Sequence, residues 1–195
     1  MSNNNLSNKV AVVTGGADGI GEGIARTLWA RGARVIIADI QEEKGEALAG
    51  ELGVNASFAL LDVTDPSSWE RLVTELESSP GRLDILVNNA GGGGFGNLDQ
   101  LTIEEWRKIM ALNMDSVFLG CKAASALLQA DAGGSIINIS STNANRAWPM
   151  FSGYCAAKAG MTMFSKCVAQ HFLETNAKVR CNTVHPGPIE TPNFR

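Results

Sequence analysis

A glycine-rich turn between a strand pattern and a helix pattern constrains the fold of this 195-residue chain more than any other feature. Residues 9–14 form a short apolar run rich in β-branched side chains, which predicts a buried strand. The turn Gly15-Gly16-Ala17-Asp18-Gly19-Ile20-Gly21 follows at once and opens a helix pattern. Glycines let the backbone approach a phosphate, and the helix N-terminus supplies free N–H groups and a positive dipole end. The turn therefore predicts a nucleotide-phosphate site, with a plain chain reversal as the alternative.

Strand and helix patterns continue to alternate along the chain. Strands are predicted at 34–39, 56–61, 83–87, 134–139 and 179–184, with helices at 42–52, from 66 onward, over 102–130 and over 152–174. Repeated units of this kind predict an α/β fold, with a doubly wound parallel sheet between two helix layers and ligands at the carboxyl ends of the strands. No internal repeat or linker marks a boundary, so residues 1–195 are expected to form one domain.

Composition argues against several classes of function. A net charge of −4, from 16 basic and 20 acidic residues, gives no nucleic-acid footprint and no polybasic membrane patch. No apolar run reaches the ~18 residues of a membrane span, and the polar N-terminus lacks a signal pattern. The four cysteines are widely spaced, which fits reduced thiols in a cytoplasmic protein. No metal site is expected, and His171 and His185 are interpreted as a helix side chain and a strand-end residue.

Asp39 ends the second predicted strand, 18 residues after Gly21. This is close to the ~20-residue spacing of an acid that binds the adenosine ribose hydroxyls. A carboxylate there repels the 2′-phosphate of NADP. No Arg or Lys lies between Gly15 and Gly21 or directly after Asp39. The sequence therefore favours NAD, and the alternative is a solvated strand-end carboxylate.

Tyr154 and Lys158 are spaced four residues apart in the helix pattern over 152–174, which places them on one face. A lysine charge beside a phenol favours the phenolate and lowers its pKa from about 10. A general acid/base for an alcohol or a carbonyl requires such a group. Two solvated side chains are the alternative. Asn113 is a further candidate, because Asn competes for backbone hydrogen bonds inside a helix.

Five motifs occur in the order and spacing of one protein family. They are Thr14-Gly15-x-x-x-Gly19-Ile20-Gly21, Asp62-Val63, Asn88-Asn89-Ala90-Gly91, Ser141 with Tyr154-x-x-x-Lys158, and Pro186-Gly187 followed by Thr191. On these motifs, from about residue 6 to 191, the chain resembles the classical short-chain dehydrogenase/reductase family. The resemblance implies a Rossmann-type fold and an oxidoreductase that transfers a hydride between NAD(H) and a secondary alcohol or ketone.

The resemblance also implies catalytic roles. Tyr154 matches the acid/base, and Lys158 matches the residue that lowers its pKa and binds the nicotinamide ribose. Ser141 would hold the substrate oxygen; Ser140 is the near alternative, but the spacing of thirteen residues to Tyr154 favours Ser141. Asn113 would support a water that relays protons from Lys158 to solvent.

Cofactor-binding positions implied by the resemblance run along the whole chain. They are Gly15, Asp18, Gly19, Ile20, Gly21, Asp39, Asp62, Val63, Asn89, Tyr154, Lys158, Ile189 and Thr191. Asp39 and Asp62-Val63 would hold the adenosine end, and Asn89 would line the cofactor cleft. Ile189 and Thr191 would meet the carboxamide end of the nicotinamide.

Substrate and assembly follow from the same resemblance. The segments 134–138 and 185–192 are similar to those of bacterial hydroxysteroid dehydrogenases. Phe95, Trp148, Met150 and Phe151 would suit a bulky apolar alcohol or ketone such as a hydroxysteroid. The long helices around 105–130 and 152–174 are expected to form the helix-pair interface of a homo-oligomer, a dimer or a tetramer.

Members of the family continue for several tens of residues past the position of Thr191. The sequence is therefore expected to lack the family's last strand and the segment that covers the substrate. Two alternatives stay open beside an NAD-dependent enzyme. One is a truncated, weakly active or inactive NAD-binding or interaction protein, and the other is an NADPH-dependent ketoacyl-type reductase, which Asp39 argues against.

Overall fold

Among residues 5–130 and 133–190, which the structure describes, a computed structural model of the protein shows six parallel strands in one sheet. The strands are β1 (Val10–Thr14), β2 (Arg34–Asp39), β3 (Ala56–Leu60), β4 (Ile85–Asn88), β5 (Ser135–Ile139) and β6 (Arg180–Val184). Their order across the sheet is β3-β2-β1-β4-β5-β6, and every neighbouring pair is parallel. The chain therefore reverses its direction of strand addition at β1 and β4, where open α/β sheets bind ligands.

Helices cover both faces of this sheet. They are α1 (Gly19–Ala30), α2 (Glu42–Leu52), α3 (Pro66–Ser78), α4 (Ile103–Met110), α5 (Ser116–Gln129) and α6 (Ser152–Glu174). One apolar cluster joins α1 and α2 to β1 and β2, and a second joins α3, α5 and α6 to the opposite face. The first four β1 residues alternate between the two clusters, and all five residues of the strand are buried. The predicted doubly wound sheet between two helix layers is confirmed.

Local signals in the sequence position several elements well. Helices α2 and α6 have the predicted bounds, and each strand lies within about two residues of its predicted range. Asp65 caps α3 by accepting a 3.0 Å hydrogen bond from the backbone N–H of Ser67, and Pro66 occupies the first helical position. The cap and the proline therefore place the start of α3 where the sequence predicts it.

The predicted helix over 102–130 differs from the observed one in its middle. A π-helical turn, Ala111–Asp115, separates α4 from α5, and Asn113 lies fully buried at its centre. The Asn113 amide donates to the Ile109 carbonyl at 3.0 Å, which competes with the regular helical ladder. π-turns of this kind are frequent at functional sites. No helix in the described part of the chain combines the length and apolar character that crossing a bilayer requires.

Candidate active site

The glycine turn after β1 is so tight that Gly15 and Gly21 leave no room for a side chain. Gly15 and Gly19 have φ values of 59° and 56°, a conformation that favours glycine. A methyl group on Gly21 would collide with the Gly15 carbonyl, and one on Gly15 would come within 2.9 Å of the Ala90 Cα. The backbone at the N-terminus of α1 is therefore bare, as close approach to a phosphate requires.

Asn89 ties this turn to the end of β4. Its Nδ2 donates to the carbonyls of Thr14 and Gly15 at 2.9 and 3.1 Å. The Thr14 hydroxyl accepts in return from the backbone N–H groups of Asn89 and Ala90, both at 3.0 Å. These bonds hold the carboxyl ends of β1 and β4 together at the switch point, so Asn89 lies in the predicted cleft.

Asp39 joins the end of β2 to the same turn. Its carboxylate is 5% exposed. One oxygen accepts from the Ala17 N–H and the other from the Gln41 N–H, both at 3.0 Å. A carboxylate has about four acceptor positions, so two remain for ribose hydroxyls.

A lysine near the turn escaped the sequence analysis. Lys44, in the first turn of α2, reaches Asp18 with an Nζ–Oδ2 distance of 2.6 Å. The hydrogen bond from Lys44 holds the pKa of Asp18 below its usual value. Lys44 was missed because it lies five residues beyond Asp39 and 26 beyond Asp18, and only the fold brings α2 beside the turn. Its charge is offset by Asp18.

Asp62 and Val63 follow the carboxyl end of β3, and Ile189 follows that of β6. Asp62 is exposed and accepts from the Thr64 N–H at 2.8 Å, while Val63 is buried. Ile189 is 47% exposed and lines an open groove of about 640 Å³ against Ile20 and the rest of α1. Thr191 lies outside the described residues.

Tyr154 and Lys158 share one face of α6, close to the end of β5. The Lys158 Nζ lies 5.6 Å from the centroid of the Tyr154 ring and donates to the Ile139 carbonyl at 2.8 Å. Lys158 is 4% exposed, and this burial lowers its pKa to about 8. The buried ammonium of Lys158 therefore lies beside the Tyr154 ring.

The net pKa of Tyr154 is raised in this geometry, and the part that Lys158 plays in lowering it stays a prediction. Burial raises the pKa of Tyr154 above its usual value of 10.0, and a hydrogen bond with Ser141 acts in the opposite direction. The ammonium faces the ring and the Ile139 carbonyl, and the same burial weakens its own hold on a proton. The phenol is therefore protonated at neutral pH.

The two adjacent serines after β5 have different surroundings. Ser141 interacts with Tyr154, and its Oγ accepts from the Asn143 N–H at 3.1 Å. The Ser140 hydroxyl is turned into the protein, where it lies 2.8 Å from Thr162 Oγ1 and donates to the Lys158 carbonyl. The structure thus brings Ser141, and not Ser140, to the phenol.

Asn113 uses its amide to hold the loop after β4. Its Oδ1 accepts from the Gly92 N–H at 2.9 Å, and its Nδ2 donates to the Gly92 carbonyl at 3.1 Å. A methyl group on Gly91 would come within 2.8 Å of Asn113 Oδ1 and 3.2 Å of Lys158 Nζ. Asn113 is therefore beside the lysine, and its part in a proton relay stays a prediction.

An aromatic wall leads from Tyr154 to the surface. The Phe151 ring lies 6.4 Å from Tyr154, 4.3 Å from Phe95 and 5.1 Å from Trp148, between ring centroids. Phe95 is 73% exposed and Trp148 is 54% exposed. We call Phe95, Trp148 and Phe151 the aromatic wall. It places apolar surface beside the candidate acid/base.

Backbone bonds fix the aromatic wall by joining two loops. Gly96 donates to the Met150 carbonyl at 2.9 Å, and the Ser152 hydroxyl donates to the Gly96 carbonyl at 3.1 Å. The loop after β4 is thereby clasped to the start of α6. His185 lies beside the catalytic candidates, because its ring contacts the Ser141 carbonyl. The sequence suggested no site role for this histidine.

Comparison with known proteins agrees with this geometry. A family model for short chain dehydrogenases matches residues 9–195. The chain is 35% identical over 189 residues to a 3-beta-hydroxysteroid dehydrogenase of Comamonas testosteroni, covering 97% of this chain and 74% of that protein. It is 39% identical over 196 residues to a trans-4-hydroxycyclohexanecarboxylate dehydrogenase of Sinomonas cyclohexanicum, covering 96% and 74%.

A reductase is similar to the same extent. The chain is 40% identical over 191 residues to a 3-oxoacyl-(acyl-carrier-protein) reductase of Escherichia coli (strain K12), covering 98% of this chain and 78% of that protein. The family model and these relatives together identify the chain as a member of the classical short-chain dehydrogenase/reductase family, whose enzymes use a nicotinamide cofactor and act on hydroxyl or ketone groups.

Proposed function

We propose that this protein is an NAD-dependent oxidoreductase for a secondary alcohol and the corresponding ketone. The observation that carries the proposal is the meeting of Ser141, Tyr154 and Lys158 at the carboxyl end of β5, next to the crevice between β1 and β4. In this proposal residues 1–195 act as one domain that holds both the cofactor and the reacting group.

The crevice has the features that a dinucleotide needs. Gly15 and Gly21 leave bare backbone for a pyrophosphate, and Asp39 offers free acceptor positions for ribose hydroxyls. The bound nicotinamide supplies the hydride acceptor or donor. Asp18 and Asp39 place two carboxylates near the adenosine end, and Lys44 is already paired. We therefore propose NAD rather than NADP.

The protein's own part in the reaction is proton transfer and orientation. Ser141 holds the substrate oxygen through its hydroxyl. Tyr154 donates its proton to that oxygen in ketone reduction and takes it back in alcohol oxidation. Because burial keeps the phenol protonated at neutral pH, it is ready as an acid, and oxidation should speed up as pH rises. A charged Lys158 beneath the ring lowers the energy of the phenolate.

The aromatic wall supports a bulky, apolar, cyclic alcohol as substrate, such as a hydroxysteroid. Its exposed rings begin next to Tyr154, so a ring system stacked on them would bring its hydroxyl to the phenol. Two of the relatives are named for cyclic alcohols, one for a hydroxysteroid and one for a hydroxycyclohexane carboxylate. NADH formation with a panel of steroid, cyclohexyl and short linear alcohols tests this. Absence of turnover with every cyclic alcohol would contradict it.

A second candidate is an NADPH-dependent ketoacyl-type reductase, which the 40% identity to the reductase of Escherichia coli favours. The two carboxylates at Asp18 and Asp39 oppose it. Measuring kcat/KM for both cofactors separates the candidates, since the proposal requires a preference for NAD.

We also propose a homo-oligomer in a reducing compartment such as the cytoplasm. The four cysteines are free, as expected there. On α5 and α6, Phe118 is 44% exposed and Met163 is 59% exposed, and contact with another copy of the chain would bury their apolar side chains.

A further inference from the structure

We propose that His185 is a positioning residue that fixes Ser141 from the neighbouring strand, an inference that rests on the proposed function. The imidazole contacts the backbone of Ser141 through one ring nitrogen and the side chain of Thr183 through the other. Its Nδ1 lies 2.9 Å from the Ser141 carbonyl oxygen, and its Nε2 lies 3.1 Å from Thr183 Oγ1. Both edges of the half-buried ring are therefore engaged.

The chemistry of these partners fixes the tautomer. A carbonyl oxygen only accepts, so Nδ1 carries a proton and donates it to Ser141. The Thr183 hydroxyl either donates to a bare Nε2 or accepts from a protonated one. The ring can keep both hydrogen bonds in its neutral and charged forms. This fits a residue that positions Ser141 better than one that transfers protons.

The Ser141 carbonyl needs a side-chain donor because no hydrogen bond of the sheet ladder reaches it. The ladder to β6 runs through its neighbours: Ser140 donates to the Val184 carbonyl at 2.7 Å, and Thr142 donates to the Pro186 carbonyl at 3.0 Å. On the other side, β4 ends at Asn88, whose partner Asn138 lies three residues before Ser141. The Ser141 carbonyl is bonded instead by His185 and by the Ala144 N–H at 3.0 Å.

Orientation of this peptide decides where the Ser141 hydroxyl points. The Asn143 N–H already occupies one lone pair of Ser141 Oγ, so the hydroxyl proton is left for Tyr154 or the substrate oxygen. If the peptide rotates, that proton turns away. A misplacement of about 1 Å can cost on the order of 100-fold in rate.

The experiment compares His185→Leu, which removes both bonds, with His185→Asn, whose side-chain amide keeps a donor near the Nδ1 position. We expect His185→Leu to lower kcat for alcohol oxidation roughly 10- to 100-fold, and His185→Asn to recover most of it. Thr183→Val frees only the outer edge of the ring and should cost less. The dissociation constant for NAD, measured by calorimetry, and the melting temperature should stay close to wild type in His185→Asn.

A double-mutant cycle with Ser141→Ala tests whether His185 acts through Ser141. Without the serine hydroxyl, His185→Leu should cause less than about a twofold further loss. An equal loss in both backgrounds, or equal impairment in the Leu and Asn variants, would show a general structural role and overturn the inference. Full activity in His185→Leu would also overturn it. Full activity in Ser141→Ala would instead remove Ser141 from the proposed function, and the positioning role of His185 would fall with it.

Discussion

Burial acts on the two central titratable residues in opposite directions. It lowers the pKa of Lys158 to about 8 and raises that of Tyr154. Both shifts favour the neutral side chain, because a low-dielectric site disfavours charge of either sign. Burying the Lys158 ammonium therefore destabilises the folded protein, and the free energy of unfolding should show this effect.

Lys158→Met tests this cost at the scale of the residue. Because the folded pKa lies below the unfolded value of 10.5, the unfolded chain binds more protons between about pH 8 and pH 10.5. The free energy of unfolding should therefore rise with pH across this window, by about 2–3 kcal/mol from Lys158 alone. Urea denaturation of both proteins at pH 7.5 and 10 measures it, and Met keeps the apolar stem. The same pH dependence in both proteins would show that Lys158 carries no such cost.

Asp18→Asn tests the balance of charge beside the adenosine end. Removing the carboxylate frees Lys44 for a 2′-phosphate. The ratio of kcat/KM for NADP to that for NAD should rise roughly tenfold, as one charge-assisted hydrogen bond allows. The double variant Asp18→Asn with Lys44→Met is the control and should return the ratio towards wild type. An unchanged ratio in Asp18→Asn would mean that Lys44 does not reach the cofactor.

Among the elements, those fixed by local signals were predicted and those fixed by long-range contact were not. Helix α6 was predicted to the residue, and Asn113 was singled out as a poor residue for a helix interior. The periodicity could not show that the chain accommodates Asn113 by a π-turn, because the turn depends on bonds to Gly92. Lys44 and His185 were missed because their partners lie 26 and 44 residues away.

The first two turns of α1 offer a matched pair of glycines, Gly21 and Gly23. Gly21 packs against the Gly15 carbonyl, whereas a methyl group on Gly23 would meet nothing within 4 Å. Gly21→Ala should destabilise the fold by about 1–3 kcal/mol through overpacking and weaken NAD binding. Gly23→Ala should stabilise it by about 0.5–1 kcal/mol through helix propensity. Denaturant unfolding and NAD calorimetry check both, and equal effects of the two variants would contradict the packing of the turn.

At the scale of the whole molecule, α5 and α6 present a shared apolar face. Phe118 and Phe164 meet edge to face with centroids 6.0 Å apart, and the Lys122 ammonium lies 5.7 Å from the Phe118 ring. Isolated exposed apolar residues are ordinary, but these lie together on two long helices, which is why we propose an interface there.

Phe118→Glu should dissociate the proposed oligomer, because it replaces an apolar ring with a carboxylate, and pairing with Lys122 one turn away would still leave two charges to desolvate at the interface. Light scattering after size exclusion should show a dimer or tetramer for the wild type and a smaller species for the variant. Val54→Glu is the control, since Val54 is 85% exposed outside these helices. A wild-type protein that is monomeric at micromolar concentration would contradict the proposed interface.

Tyr154→Phe tests whether Tyr154 exchanges the proton of the substrate hydroxyl. The variant keeps the ring that packs against Phe151 and stands over Lys158, and it loses only the hydroxyl. We expect NADH formation with the best alcohol of the panel to fall by at least about 100-fold. The NAD dissociation constant, measured by calorimetry, should stay within about twofold of wild type. Retained turnover in Tyr154→Phe would contradict this proton exchange.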